Sequence, residues 1–259
     1  MQLIPLKLKL LHEGDDLVKE VLDASRACGG LKNGDILVIA SKAVATVNGE
    51  IVKLGEIKPS KKALALARES GLPPSLVEII LREADAVLGT AKMAILTIKN
   101  GILCANAGVD RSNVPEGYAA LMPKNPDENA ERIRREIFKK TGIKTGVIIA
   151  DSNVKPLRLG TIGQAIGVAG IGAVVDRRGD PDLYGKPLKI TFQALADQLA
   201  TAAQPLMGEG AERIPAVIVR GLRLRKMRRV SPKIPLKKDI YKSILRYNSR
   251  RPQGNTDSC

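Results

Sequence analysis

The chain has 259 residues, 44% of them hydrophobic and 27% charged, enough for one large domain or two lobes with a sizeable core. No apolar run approaches the roughly 18 residues of a membrane span, and lysines interrupt the apolar start MQLIPLKLKLL, so neither a span nor a secretory leader is expected. The net charge of +15 is uneven: from Leu222 onward 12 Lys and Arg face only Asp239 and Asp257, a balance that suits anionic ligands such as nucleotides, phosphodiesters or nucleic acid.

In chain order, Asp15 and Asp16 precede LVKEVL, which reads as a helix running to about Cys28 with acids at its positive end. Gly34-Asp35 lead into ILVIA, a continuous apolar run typical of a buried strand. Ser60 caps the helix KKALALARES, which Gly71 stops, and SLVEIILREA forms a second helix after Pro73-Pro74. MAILTI and ILCANA, joined by Lys99-Asn100-Gly101, read as a hairpin, because Asn-Gly tolerates the positive φ of a tight turn. A helix starts at Asn125-Pro126-Asp127-Glu128, with Asn125 as cap, and ends at Lys139-Lys140-Thr141-Gly142.

Beyond it come the strand GVIIA, the glycine-rich GTIGQAIGVAGIGAVV and the turn-rich RRGDPDLYGKP. TFQALADQLATAAQPLM reads as a helix and IPAVIV as a strand. Helices and strands mix without a strict βαβ rhythm, so the expected class is α+β: mixed sheets with packed helices in two interlocked lobes. Residues 1–221 form the expected catalytic domain, with a basic C-terminal helix and tail over 222–259. The three cysteines, Cys28, Cys104 and Cys259, give neither a disulfide framework nor a zinc spacing, and a cytoplasmic setting follows.

Acids stand directly beside apolar elements at three places: Asp110 in ILCANAGVDRSN, Asp151 in GVIIADSN and Glu209 in LMGEGAER. With the hydroxyl of Ser152 they make an oxygen-only set, which suits Mg²⁺ or Mn²⁺ rather than zinc. The expectation is that these groups fold into one oxygen-lined cage for a cation. With His12 the one histidine of the chain, a Ser-His-Asp triad has little room. Gly160, Gly163, Gly167, Gly170 and Gly172 do not form a dinucleotide fingerprint, and they read as sites where backbone packs on backbone. The glycines flanking Glu209 leave backbone N–H groups open to phosphate oxygens.

Taken together, LLHEGDDL, GDILVIASK, CANAGVDRSNV, GVIIADSN, GQAIGVAG, DLYGKPL and LMGEGAERIPAVIVRG resemble the coenzyme F420-0:L-glutamate ligase family over nearly all of residues 1–221. The resemblance implies a GTP-dependent ligase. The terminal carboxylate of F420-0 takes the γ-phosphoryl group of GTP, and the amine of L-glutamate displaces phosphate from the acyl phosphate. It also implies Mg²⁺ or Mn²⁺, two per site, assistance from K⁺, and an intertwined homodimer. Position by position, Asp110, Asp151, Ser152 and Glu209 match metal ligands, Ser152 standing where threonine is common. No catalytic side chain beyond these is implied. Nucleotide contacts match Leu8, Lys9, Leu10, Leu11, Ser41, Lys42, Asn113, Met207, Gly208, Gly210, Ala211, Glu212, Arg213 and Ile214. Thr46 also falls in this set, at a place where the family shows a second lysine, in the pattern SKxVSKxEG.

Two alternatives stand beside this reading. Thr46 admits a paralogue that ligates glutamate or another amine to a different phosphorylated carboxylate. The basic tail admits nucleic-acid binding, although only Tyr241 and Tyr247 offer stacking surfaces there, and it also reads as a solvated segment.

Overall fold

The computed structural model describes residues 1–222 and 232–243. The expected basic tail therefore lies largely outside the described residues; its described part holds short 3₁₀ turns at Leu236–Lys238 and Ile240–Ser243. The chain is α+β and divides into two compact units, the first discontinuous: residues 1–58 with those from 108 to 222, and residues 59–107 with the described residues 233–243.

The first unit holds strands β1 (Gln2–Leu6), β2 (Ile36–Ala40) and β3 (Ile51–Lys53) and helices α1 (Leu17–Ser25) and α2 (Ser41–Val47). The second unit holds helices α3 (Lys61–Ser70) and α4 (Pro74–Glu83) and strands β4 (Ala86–Ala91), β5 (Ala94–Lys99) and β6 (Ile102–Ala105). The first resumes with β7 (Tyr118–Ala120), α5 (Pro126–Thr141), β8 (Gly146–Val154) and β9 (Thr161–Ala169). It closes with β10 (Val175–Asp176), β11 (Phe192–Gln193), α6 (Leu195–Met207) and β12 (Ala216–Arg220).

The first unit is built on a five-stranded sheet in the order β1-β12-β2-β8-β9. Only β2 and β8 run parallel, paired in register from Ile36↔Gly146 to Ala40↔Ala150. The continuous apolar runs of β2, β8 and β12 have no polar alternation because both faces are covered: Ile36–Ile39, Val147–Ile149 and Ala216–Val219 are all fully buried.

Gly163 and Gly167 explain the covering layers. A Cβ on Gly163 would lie 2.3 Å from the Ala200 carbonyl of α6, and one on Gly167 would lie 2.3 Å from the Pro126 carbonyl of α5. The bare positions let each helix backbone approach β9, as the glycine reading expects. A β-bulge between Ile149 and Ala150 of β8 shifts the register against β9. Asp127, in the first turn of α5, accepts from the Val168 amide at 2.8 Å and fastens that helix to β9.

The core under α6 combines Leu195, Leu199 and Ala203 with Ile148, Ala150, Val217 and Val219. At the far edge Arg220 pairs with Asp35 at 2.7 Å and donates to the Gly30 carbonyl at 2.6 Å, tying β12 to the turn before β2. Asp35 is only 2% exposed, so removing Arg220 would leave a buried charge, at a cost of about 3–5 kcal/mol.

Two expectations need correction. Asn125 does not cap α5: its backbone is left-handed at φ 46° and its side-chain amide donates to Glu128 instead. Helix α6 begins at Leu195, because Phe192–Gln193 pair with β10 as a short strand.

In the second unit β4, β5 and β6 form an antiparallel sheet, with Asn100 at φ 52° and Gly101 at φ 72° making the expected tight turn. Ser60 caps α3 by accepting from the Ala63 amide at 3.2 Å, and its own amide donates to Glu78 of α4 at 2.9 Å. No helix among the described residues is long and apolar enough to cross a membrane. Cys28 is half-buried and Cys104 is buried, with the Thr97 hydroxyl 3.6 Å from its sulfur.

Candidate active site

The parallel pairing of β2 and β8 builds the centre of the site. Ala40 and Ala150 are partners in register, so the residues that follow them, Ser41 and Asp151, emerge side by side. The carboxyl ends of parallel strands are where open sheets present ligand-binding groups. The Ser41 hydroxyl donates to Asp151 Oδ1 at 2.6 Å. Burial pushes the Asp151 carboxyl above its ordinary range; the hydrogen bond from Ser41 and the charge of Lys42 oppose this, and the charge of Asp110 adds to it.

Asp110 reaches the same place from another direction. Its backbone exchanges two hydrogen bonds with Ala120, at 3.0 and 2.8 Å. Lys42 Nζ donates to Asp110 Oδ2 at 2.6 Å, and the amide and hydroxyl of Ser112 donate at 2.8 and 2.7 Å. Burial would raise the Asp110 carboxyl, yet these donors outweigh it and hold Asp110 below its ordinary range. Gly108, at φ 72°, lets this segment pass Asp151: a Cβ there would meet Met122 at 2.8 Å and lie 3.7 Å from Asp151 Oδ2.

Ser152 follows Asp151 on β8 and therefore points to the opposite face. There its hydroxyl donates to Glu209 Oε1 at 2.8 Å. Thr161 at the start of β9 donates to the same oxygen at 3.0 Å. The side-chain amide of Gln204, from the last turn of α6, donates to Ser152 at 3.0 Å, to Thr161 at 3.2 Å, and to Glu209.

The expected single cage thus gives way to two pairs, Asp110 with Asp151 and Ser152 with Glu209, because consecutive residues of a strand cannot face the same side. Among the described residues no three His, Cys, Asp or Glu side chains form a ready metal cluster. Every donor in both pairs is nevertheless an oxygen, the chemistry that fits hard cations, and each pair already meets a group of positive character, the Lys42 ammonium or the Gln204 amide.

The glycine-flanked loop lies beside these pairs in the first unit. Gly208 takes φ 71°, and the Glu212 carboxylate folds back to accept from the Gly210 amide at 2.8 Å. Asn113 donates to the Gly210 carbonyl at 3.0 Å, and the Leu8 amide donates to the Arg213 carbonyl at 3.0 Å. The Leu8 amide and the Asn113 side chain are therefore both joined to the backbone of the loop from Met207 to Ile214.

Other sequence-named residues serve differently. The Leu8 side chain is in the core, and Lys9 is paired with Asp15 at 3.0 Å and Glu20 at 3.3 Å, so its charge is directed at α1. Leu10 is exposed and Leu11 half-buried. Thr46 lies one helical turn beyond Lys42 on α2, on the same face. His12 sits in an exposed turn whose amide donates to Asp15 at 2.8 Å. Sequence reasoning missed Thr161, Gln204 and Ser112; the available signal was the spacing of Gln204 five residues before Glu209, on a helix ending at the loop.

The α+β core thus gathers oxygen donors and a lysine where the parallel pairing of β2 and β8 runs out. The model of the F420-0:Gamma-glutamyl ligase family matches residues 5–221, and the chain belongs to that family. It is 44% identical over 221 residues to the coenzyme F420:L-glutamate ligase of Methanopyrus kandleri, covering 85% of this chain and 86% of that one. The protein of the same name from Methanocaldococcus jannaschii is also 44% identical, over 85% of this chain and 88% of its own. That from Archaeoglobus fulgidus is 42% identical, over 83% and 85%.

Proposed function

We propose that this chain is a GTP-dependent ligase that joins the α-amine of L-glutamate to the terminal carboxylate of coenzyme F420-0. Membership of the family and the names of its relatives support the substrate pair. The observation that carries the chemistry is the double oxygen pair on β8, with Lys42 at one pair and the Gly208–Ile214 loop close in the chain to the other.

In the first step a carboxylate oxygen of F420-0 attacks the γ-phosphorus of GTP, and the bond to the β-phosphate oxygen breaks to release GDP. In the second the amine of glutamate attacks the acyl carbon, phosphate leaves with the electron pair of the C–O bond, and the amine loses its proton. Phosphoryl transfer asks the protein mainly to position groups and offset charge. Asp110 and Asp151 would hold one Mg²⁺ or Mn²⁺, and Ser152 and Glu209 a second. A cation held there would supply positive charge to offset the negative charge that develops during phosphoryl transfer. Lys42, released from Asp110, supplies a further positive charge on the same side of the sheet. The glycines around Glu209 keep backbone N–H groups accessible to phosphate.

The same reading includes a homodimer. Leu157, Leu159 and Leu183 have exposures of 103%, 107% and 100%, and Ile190 of 86%. Fully solvated leucines on two loops of one unit are a surface that a second copy would cover.

The direct test incubates the protein with GTP, Mn²⁺, K⁺ and L-glutamate, with and without F420-0, and weighs the product. Gain of one glutamyl residue on F420-0, with matching GDP, supports the proposal. GTP turnover without a glutamylated product contradicts it.

A further inference from the structure

Gln204 Nε2 sits where three oxygens from three separate elements converge: Ser152 Oγ of β8 at 3.0 Å, Thr161 Oγ1 of β9 at 3.2 Å, and Glu209 Oε1 beyond α6. The three oxygens are also linked among themselves, since both hydroxyls donate to the same carboxylate oxygen, at 2.8 and 3.0 Å. Glu209 Oε1 thus gathers three donors, while an amide nitrogen has two hydrogens to share among three acceptors. This arrangement is more than a side-chain amide needs and is the donor pattern of a cation shell, with the amide nitrogen at its centre.

We infer that Gln204 and Thr161 are ligands of the second cation, completing the pair Ser152 and Glu209, and that the Gln204 amide holds this position when the cation is absent. A half-turn about the last side-chain torsion presents the amide oxygen in place of the nitrogen, and withdrawal of the flexible side chain leaves the centre of the shell to the cation. The group that donates to the three oxygens then becomes a fourth oxygen. The resulting set is one carboxylate, two hydroxyls and one amide carbonyl. A hard divalent ion accepts such a set with its remaining positions left for water or phosphate oxygens.

The neighbouring structure supports the role. Gln204 also accepts the Gly208 amide on its carbonyl at 2.9 Å, so its backbone anchors the helix end from which Glu209 departs. Thr161 is exposed at the start of β9, where a hydroxyl is not required for packing. The inference rests on the two-cation reading proposed above and assigns it two residues.

The test is a titration of the nucleotide-free full chain with Mn²⁺ alone, counting bound ions by electron paramagnetic resonance, with folding checked by circular dichroism. Wild type is expected to bind two ions. Gln204→Leu and Thr161→Val should each weaken one of them on the order of tenfold or more and leave the other unchanged, the size expected when a ligand is removed or disordered. Gln204→Glu should tighten that same ion. Asp151→Asn should instead weaken the other ion, which identifies the two positions. Thr161→Val tests the idea without touching α6, should the helix variant fail to fold. Wild-type affinity for both ions in Gln204→Leu or Thr161→Val overturns the inference and leaves the proposed ligase reading intact. Absence of bound Mn²⁺ in wild type overturns the inference and the cation assignment together.

Discussion

Ser41 and Asp151, 110 residues apart in the chain, share a 2.6 Å hydrogen bond because β2 and β8 run parallel and in register up to the residues just before them. That contact opposes the burial that raises the Asp151 carboxyl. Ser41→Ala removes it, so Asp151 should hold its proton to a still higher pH. Protons compete with a cation for the carboxylate. Mn²⁺ binding at the Asp110–Asp151 pair should therefore fall off as pH drops through the raised value, and the fall-off should move to higher pH in the variant. Mn²⁺ titrations across pH check both the sign and the displacement. In the cation-free protein the sign for stability is the reverse: stability is fully present below the ordinary carboxylate range and is lost as pH rises through the raised value.

The two bare positions of β9 carry a second expectation. Gly163→Ala and Gly167→Ala place a Cβ 2.3 Å from backbone carbonyls of α6 and α5, and a helix backbone cannot rotate aside as a side chain can. Each should cost about 3 kcal/mol and lower Tm by roughly 5–10 °C. A thermal melt checks this, and Gly210→Ala, whose Cβ would stand 3.4 Å from the end of a flexible glutamate, serves as the mild comparison.

In the second unit Glu78 is held down to about 2 by hydrogen bonds from the hydroxyl and amide of Ser60 and from Arg82. A depressed carboxylate contributes stability above its unfolded value near 4.5, and that contribution is lost as pH falls from there toward 2. Because the group is near solvent, the contribution is discounted to about 1 kcal/mol. Glu78→Gln should lose it at neutral pH and flatten the acid limb of the stability curve. Urea melts at a series of pH values measure this.

The exposed leucines give an expectation about assembly. Leu157→Asp with Leu159→Asp places two charges at fully exposed side chains, so folding should be unchanged while association weakens. Sedimentation equilibrium of the wild type should show a dimer and that of the variant a monomer. A wild-type monomer would leave those side chains unexplained and remove the dimer from the account.

Much of the fold was legible because local chemistry matched the final structure. ILVIA, GVIIA and IPAVIV read as buried strands, and both faces of each are covered. Asn100-Gly101, Ser60 and Gly71 did what their backbone preferences dictate. The helix SKAVATV went unread because seven residues hold too few turns to show a period. Asn125 failed as a cap because its left-handed backbone turns the side chain toward Glu128.

The site was legible as residues and not as geometry. Asp110, Asp151, Ser152 and Glu209 could be named, but alternation along β8 dictates that Asp151 and Ser152 serve opposite faces. Which strands become neighbours is a long-range outcome that periodicity does not encode. Thr161 carried no signal of its own, since a lone hydroxyl occurs at any surface, and Gln204 offered only its spacing five residues before Glu209.

Binding of GTP by the full chain, measured calorimetrically with Mn²⁺ or with EDTA, for wild type and Asp151→Asn, tests the central claim most directly. The account predicts that wild type binds only when Mn²⁺ is present, and that Asp151→Asn, which keeps the shape and loses the charge, binds at least about tenfold more weakly. Equal affinity in EDTA and in Mn²⁺, unaltered by the substitution, would contradict it.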